Sequence, residues 1–491
     1  MHRTRLNRAS IPTAILAWLL IWASTAVGET LWILDKSAAD GAVVTVDPTT
    51  LQRIASSLTA RFTIQAGEET HEVIVEEATS RGRGIRSIRG GVEHAADSYF
   101  LLTTSPGGGV AALFSPSPGK RWSLHSDNGA LRLSPVDEAD YRPCAGALDL
   151  PEPKSIGYGG VRGSSRGDKA FGDAADDGSR HDVMVAWTPK AETFAGGAAQ
   201  MEAEIQLAVD AANFVYANSG IASRLRLVLT TPADYDEDTA WDYDDHIYAF
   251  ADPTDGVMDE LTTLRSIVGA DFMVLIVESV DLLGNPLGAC GVGFVMGPDD
   301  INPDFEIYAA SVVSRRCASS IWTLAHEIGH NRGCAHNRED ASVDGATSYA
   351  YGHRFTGTDD QDYRTVMSYD TVPESMTRIP HFANPSISYA GAATGVPVGA
   401  VGESHTAQVH GLTNAVSAGF RPERTFVDFD WSGASTGFAD APFSTLQAGL
   451  LEARDGGQIV LIGDAAGFTA ILNDPSVLIH LPGGTSVLGA P

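Results

Sequence analysis

From His326 to His336 the chain reads HEIGHNRGCAH, and this spacing constrains the fold more than any other stretch. His326 and His330 are four positions apart. On an α-helix they share one face, one turn above the other, where both imidazoles reach a single ion. Glu327 lies about 100° round the same helix, beside that ion rather than on it. A carboxylate there can take a proton from a water that the ion activates. His336 joins only if the helix stops, because in a continued helix it would lie about 15 Å further along the axis and on another face. Gly333 supplies the exit, since glycine adopts the left-handed C-cap conformation without steric cost. HExxH alone arises by chance on solvated helices, but with the glycine and the third histidine each element has its own geometric job. Such an imidazole set favours one Zn²⁺ with an open coordination position.

The chain has 491 residues, more than one ordinary domain, and with 43% hydrophobic and 19% charged residues it has a globular composition. A formal net charge of −29 argues against nucleic acid and anionic membrane surfaces as partners. Arg3, Arg5 and Arg8 precede an apolar run from Ile11 to Val27 that ends in small residues, the order of a secretory signal peptide over 1–28. The run is short for a membrane span and carries Pro12, and no other segment is apolar enough to cross a bilayer once the leader is cleaved. Export permits disulfides, and Cys144, Cys290, Cys317 and Cys334 allow three complete pairings. Cys290 follows a buried strand and Cys317 closes the next strand before the HExxH helix, so a Cys290–Cys317 bond would anchor that helix to the sheet. Acidic residues are numerous enough to hold structural Ca²⁺, but no loop has the spacing of an EF-hand.

Composition divides the chain. Residues 29–147 read as short strands between Gly, Pro, Ser and Asn, as in SYFLLTTSPGG and VAALFS. Residues 148–180 are rich in Gly, Ser and Asp and carry Arg162, Arg166 and Arg180, a flexible linker open to proteolysis. Over 181–423 helical and strand patterns alternate. DVMVAWT and DFMVLIVE read as buried strands and SRLRLVL as a half-exposed one. Met201, Ile205, Val209, Ala212 and Val215 mark one face of a long helix, and Met258, Leu261, Leu264 and Val268 a second helix. FEIYAASVVS reads as a strand near the sheet edge, with Ser319 or Ser320 as N-cap of the HExxH helix. This order suits a twisted mixed α/β sheet with helices packed on it. Residues 424–491 hold a short strand, a Gly/Ser turn, an amphipathic helix and a buried strand.

Downstream lies YRTVMSYD, with Met367 and Tyr369. A methionine in a tight turn beneath three histidines resembles the Met-turn of metzincin zinc proteases. DVMVAWTP, SVVSRRCASSIWTLAHEIGHNRG, YAYGHRF, YRTVMSYD and ANPSISYAG resemble the secreted bacterial reprolysin-like, peptidyl-Asp metalloendopeptidase group, over roughly residues 180–422. The resemblance implies His326, His330 and His336 as zinc ligands, Glu327 as general base and Met367 as the Met-turn residue. Tyr369 stands where astacin-like and serralysin-like enzymes keep a tyrosine that ligates zinc or stabilises an oxyanion. True reprolysins lack that tyrosine and usually carry Asp where this chain has Asn337. Residues 29–147 are similar, more weakly, to an inhibitory propeptide. Within YRPCAGA, Cys144 is then a candidate cysteine switch, with a disulfide to Cys334 or an unpaired thiol as alternatives. The tail resembles the opening of a right-handed β-helix.

The expected protein is a secreted zinc endopeptidase made as a zymogen, acting on protein or peptide substrates and restrained by its own propeptide. A non-catalytic metzincin-fold binding or adhesion protein is the alternative. His353, His381, His405 and His410 lack metal-like spacing and are expected to be structural or exposed.

Overall fold

The computed structural model describes residues 29–35, 42–95, 97–150, 178–278, 288–371, 375–454, 457–462 and 478–480. The expected leader at 1–28 and nearly all of the linker at 148–180 lie outside the described residues.

Residues 32–135 form a nine-stranded antiparallel sheet. Its two central strands, Tyr99–Thr104 and Val110–Ser117, are buried on both faces. The period-two alternation divides their side chains between two cores. Phe100, Leu102, Ala112 and Phe114 join Trp32 and Phe62 in the sheet's own core, closed by the helix Pro48–Ile54. Asp47 caps that helix by accepting a hydrogen bond from Thr50 N at 2.7 Å. Tyr99, Leu101, Ala111 and Leu113 face the other way, into the larger core of the second half.

The second half is built on a six-stranded sheet in the order Ala147–Leu148, Gly291–Phe294, Ala310–Ser314, Phe272–Val277, Arg180–Trp187, Arg224–Pro232. Pairing is parallel except between Gly291–Phe294 and Ala310–Ser314. Phe272–Val277 buries every residue, as a strand covered on both faces requires. The long helix Ala198–Asn218 packs between the two sheets. The sequence suggests a single buried face for it, but Ala203, Gln206, Leu207, Asp210 and Ala211 are buried as well, because the N-terminal sheet covers what would otherwise be the solvent side. Polar contacts cross the same boundary: Arg81 pairs with Asp210 at 2.8 Å, and Arg315 Nη1 donates to Ser126 O at 3.0 Å.

Two further expectations need correction. FEIYAASVVS is not one edge strand: Pro303–Tyr308 is a 3₁₀ helix, and Ala310–Ser314 lies inside the sheet. The short, glycine-rich Gly291–Phe294 takes the outer place, with Ala147–Leu148 beyond it. Neither Ser319 nor Ser320 caps the HExxH helix. Ser319 ends a separate turn, Arg315–Ala318, Ser320 Oγ bonds back to Arg316 O, and the helix Thr323–Asn331 starts after Trp322 with no side-chain cap. Beyond residue 423, the strands Arg424–Asp428, Gln458–Ile462 and Leu478–His480 pair in parallel, with the helix Leu446–Glu452 between the first two in sequence. No helix among the described residues is long and apolar enough to cross a membrane.

Candidate metal centre

The helix Thr323–Asn331 carries His326, Glu327 and His330, all fully buried. It ends at Gly333, whose φ of 87° is left-handed. Gly333 N bonds His330 O at 2.8 Å and Cys334 N bonds Gly329 O at 2.9 Å, the paired bonds of a Schellman cap. A Cβ at Gly333 would meet that of Ala346 at 2.5 Å. The chain thus turns back, and the short strand Ala335–Asn337 returns His336 to the helix.

Each pair of Nε2 atoms among His326, His330 and His336 is 3.1 or 3.2 Å apart. His326 Nδ1 faces Val366 O and His330 Nδ1 faces Cys334 O, both at 2.8 Å. A carbonyl accepts only from a protonated nitrogen, so these bonds place the Nε2 lone pairs toward the common centre. Burial first, then neighbouring cationic or imidazole groups, hold all three imidazoles below their ordinary pKa and therefore neutral. Converging acceptors cannot hydrogen-bond one another. Their separation is close to what three Zn–N bonds of about 2.0–2.1 Å give in a tetrahedral array. Among the described residues, this is the one cluster with metal-holding geometry, and it has a fourth member, Cys144.

Cys144 lies on a segment that runs along the edge strand: Cys290 N bonds Pro143 O, Ala145 N bonds Gly291 O, and Val295 N bonds Leu148 O, at 2.8–3.1 Å. Its Sγ lies 3.6 Å from Glu327 Oε2. Burial, then the Glu327 charge, push the thiol well above its ordinary range. Burial likewise pushes the Glu327 carboxyl up to about 8. Gly291 and Gly293 make room for that carboxylate, since a Cβ on Gly291 would meet Glu327 Oε1 at 2.5 Å.

Met367 is buried beneath the helix, its Sδ 2.8 Å from where a Cβ on Gly329 would stand. The Tyr369 ring centroid is 4.0 Å from that of His336, and its hydroxyl donates to Cys144 O at 3.1 Å. Burial, then Cys144, push that hydroxyl above its ordinary range. Asn337 Oδ1 accepts from Tyr369 N at 3.0 Å, tying the third histidine's strand to the turn that carries Met367. Cys290 and Cys317 form a disulfide. Cys334 is a buried free thiol whose Sγ points to Thr406 O, outside the cluster. Of the remaining histidines, His381 and His410 are buried and His353 and His405 half-buried, none within the cluster.

Residues 179–399 match the family model described as metallo-peptidase family M12B, reprolysin-like. This stretch, a little under half of the chain, is similar to reprolysin-like metallopeptidases. The chain is 32% identical over 245 residues to a peptidyl-Asp metalloendopeptidase of Stenotrophomonas maltophilia (strain K279a), covering 49% of this chain and 52% of that protein. A protein of the same name from Pseudomonas aeruginosa is 30% identical over 256 residues, 50% of this chain and 40% of that one. The chain thus spans about half the length of the curated relatives it matches. Among solved structures, metalloproteinase-II from Bacteroides fragilis is similar at 12% identity and a TM-score of 0.37, over 61% of this chain and 88% of that one. The metal of M12B metallopeptidases is zinc, and the histidine cluster fits it in donor type and spacing.

The metallopeptidase domain also contains groups that sequence reasoning missed. Arg378 Nη2 lies 2.8 Å from His326 Nδ1 although 52 positions separate the two residues. Its Nε donates to Val366 O at 3.1 Å and its Nη1 to Ile321 O at 2.8 Å. Nearby Arg364 reaches across to Glu138, 226 positions away. No local pattern marks such partners. A buried arginine at a site is legible in sequence only when its counter-charge lies within the same element.

Proposed function

We propose that the chain is a secreted zymogen whose processed form is a zinc-dependent endopeptidase acting on protein or peptide substrates. The carrying observation is the convergence of three imidazole Nε2 atoms beside Glu327, whose buried Oε1 has no hydrogen-bond partner. His326, His330 and His336 hold the ion, and zinc, when bound, supplies a Lewis acid that polarises a carbonyl and acidifies water. Glu327 acts as general base: in its ionised form the carboxylate accepts a proton from the attacking water and, as the carboxylic acid so formed, returns it to the leaving amine. Burial, which raises that carboxyl to about 8, suits it to exchange protons in the neutral range. Met367 supports the helix from below. The Tyr369 hydroxyl donates to Cys144 O and, with that segment gone, can donate to a substrate carbonyl oxygen instead.

Latency follows from the segment through Cys144. It covers the edge strand along which a substrate main chain would pair, and its thiol occupies the remaining corner of the histidine cluster. A thiolate is a strong zinc ligand and would fill the position that water needs. In this reading residues 1–28 direct export, 29–147 are the propeptide, 148–180 the cleavable linker, 181–423 the protease domain and 424–491 a β-helix-like tail.

The test is digestion of a peptide mixture by the full-length chain and by the chain cleaved within 148–180, each with and without a chelator. The proposal expects cleavage by the processed form alone, abolished by chelation and restored by Zn²⁺. Cleavage surviving complete zinc removal would sink the enzyme class. A binding or adhesion protein would cleave nothing in any arm.

A further inference from the structure

In the N-terminal half, the strands Glu69–Gly82 and Ile85–Val92 are joined by a two-residue turn, Arg83-Gly84, with Gly82 paired to Ile85. Arg83 and Gly84 have φ of 49° and 76°, so both central residues are left-handed, as a type I′ hairpin turn requires. Asn, Asp or Gly suits the first of those positions. An arginine there costs backbone energy, and such a cost points to a use for its side chain. The hairpin tip does not stand in solvent. The Arg83 side chain is 14% exposed, and a Cβ on Gly82 would meet Thr436 Cγ2 of the C-terminal segment at 2.0 Å.

Three hydrogen-bond acceptors meet the Arg83 guanidinium, all from beyond residue 180. Nε donates to the Asp440 carboxylate, Nη1 to Thr230 Oγ1 at 3.3 Å and Nη2 to Val228 O at 2.6 Å, with Nε 2.8 and 3.0 Å from the two Asp440 oxygens. Val228 is the extra residue of a bulge in Arg224–Pro232, the outermost strand of the mixed sheet, since Val183 pairs with Leu227 and Met184 with Leu229. The Phe438 ring closes a fourth side, 5.5 Å from Arg83 Cζ. These groups are fixed by contacts that do not involve Arg83. The same ring lies 5.6 Å from Arg226 Cζ, and Asp182 holds that guanidinium with bonds of 2.6 and 2.7 Å. Thr436 N and Gly437 N both bond Ala441 O, and Phe426 N bonds Gly437 O, so the loop that presents Asp440 is tied to the strand Arg424–Asp428.

We propose that Val228, Thr230, Phe438 and Asp440 form a guanidinium-binding socket, through which the C-terminal segment holds the N-terminal half against the mixed sheet after the linker is cut. The socket takes arginine rather than lysine, because a planar fork reaches a carboxylate, a hydroxyl and a carbonyl in three directions while lying against a ring, and a single ammonium does not. It lies at the edge of the mixed sheet opposite Ala147–Leu148, away from the histidine cluster, so it secures the N-terminal half without touching the reacting groups. The tail thereby gains a part in latency: release of the N-terminal half depends on this contact as well as on the cut. The inference rests on the reading of 29–147 as a propeptide and of 148–180 as its cleavable linker, and goes beyond it.

The experiment cuts the full chain within 148–180 and follows by size-exclusion how fast the N-terminal fragment leaves the remainder on dilution, with the melting transition of each uncut chain as the check on folding. The wild-type fragment should co-elute with the remainder and leave slowly. Asp440→Asn and Arg83→Gln should each speed its departure on the order of 10- to 10²-fold, the range of hydrogen bonds to a charged group. Arg83→Lys should fall between wild type and Arg83→Gln, and the double variant should be no faster than Arg83→Gln alone, because both changes remove the same bond. N-acetyl-arginine amide should lower the fraction retained, and the lysine analogue at equal ionic strength should not. Wild-type departure rates in folded Asp440→Asn and Arg83→Lys variants overturn the socket, as do equal displacement by the two amides and a wild-type fragment that leaves at once on cutting. Retention is read without any substrate, so a chain that holds its fragment through this contact yet cleaves no peptide overturns the peptidase reading and leaves the socket standing.

Discussion

In the N-terminal sheet, neighbouring residues of Tyr99–Thr104 point into different cores, Phe100 and Leu102 into one and Tyr99 and Leu101 into the other. In the mixed sheet, Phe272–Val277 and Arg180–Trp187 feed a single core from both faces. In the N-terminal sheet, packing uses both faces of the central strands, so what it contributes near the metal centre comes from the segment after its last strand, through Glu138 and Cys144. The mixed sheet keeps Gly291–Phe294, the strand next to its Ala147–Leu148 edge, short and glycine-rich beside the HExxH helix, and the histidine cluster lies there. The N-terminal half contributes burial and the segment through Cys144, and the second half contributes the three histidines and Glu327.

The largest expected effect comes from removing that segment's contact with the cluster. Cys144→Ser in the full-length chain should raise peptide hydrolysis without any cleavage of the linker. Losing a ligand contact of about 3 kcal/mol corresponds to about 10²-fold. Glu138 still bonds Arg364, so the variant should remain below the processed enzyme. Unchanged latency would mean that the N-terminal half inhibits by packing alone.

Next in size is the disulfide. Cys290 and Cys317 are 27 positions apart, and a closed loop of that length stabilises by roughly 3–4 kcal/mol in the chain-entropy model. Replacing both with Ala should lower the melting transition of the second half and leave that of the N-terminal sheet where it was. A shared, equal drop would show that the two halves unfold as one unit, which would erase the contrast drawn between them.

The smallest effect is a pH dependence confined to the boundary between the halves. Burial, then the charge of Arg316, push the imidazole of His125 down to about 4. Its folded pKa lies below the ordinary value near 6.5, so the folded state resists the proton that the unfolded state accepts. The stability it contributes is complete above about pH 6.5 and declines as the pH falls toward about 4. His125→Gln should flatten a plot of transition midpoint against pH across that window. An identical slope in the variant would assign the acid sensitivity to other groups.

The sequence made the metal centre legible because HExxHxxGxxH is local: helix spacing sets two ligands and Gly333 sets the return of the third. Cys144 stood out because its residue type is a ligand and a linker follows it. Arg364, Arg378 and Glu138 did not stand out, since their contacts join residues up to 240 positions apart and depend on how the two halves dock. The same limit explains the fold errors. An Ala198–Asn218 helix buried on two sides requires a second layer that its own periodicity cannot announce, and GVGF is too short and glycine-rich to declare itself a strand next to the sheet edge.

The central claim is that Glu327 drives hydrolysis at a zinc held by three histidines. Its most direct test is Glu327→Gln in the processed enzyme, with zinc content and peptide hydrolysis measured on the same sample. The account predicts about one zinc per chain together with a fall in kcat on the order of 10²- to 10⁴-fold, the usual contribution of a general base. Near wild-type hydrolysis with zinc still bound would contradict it.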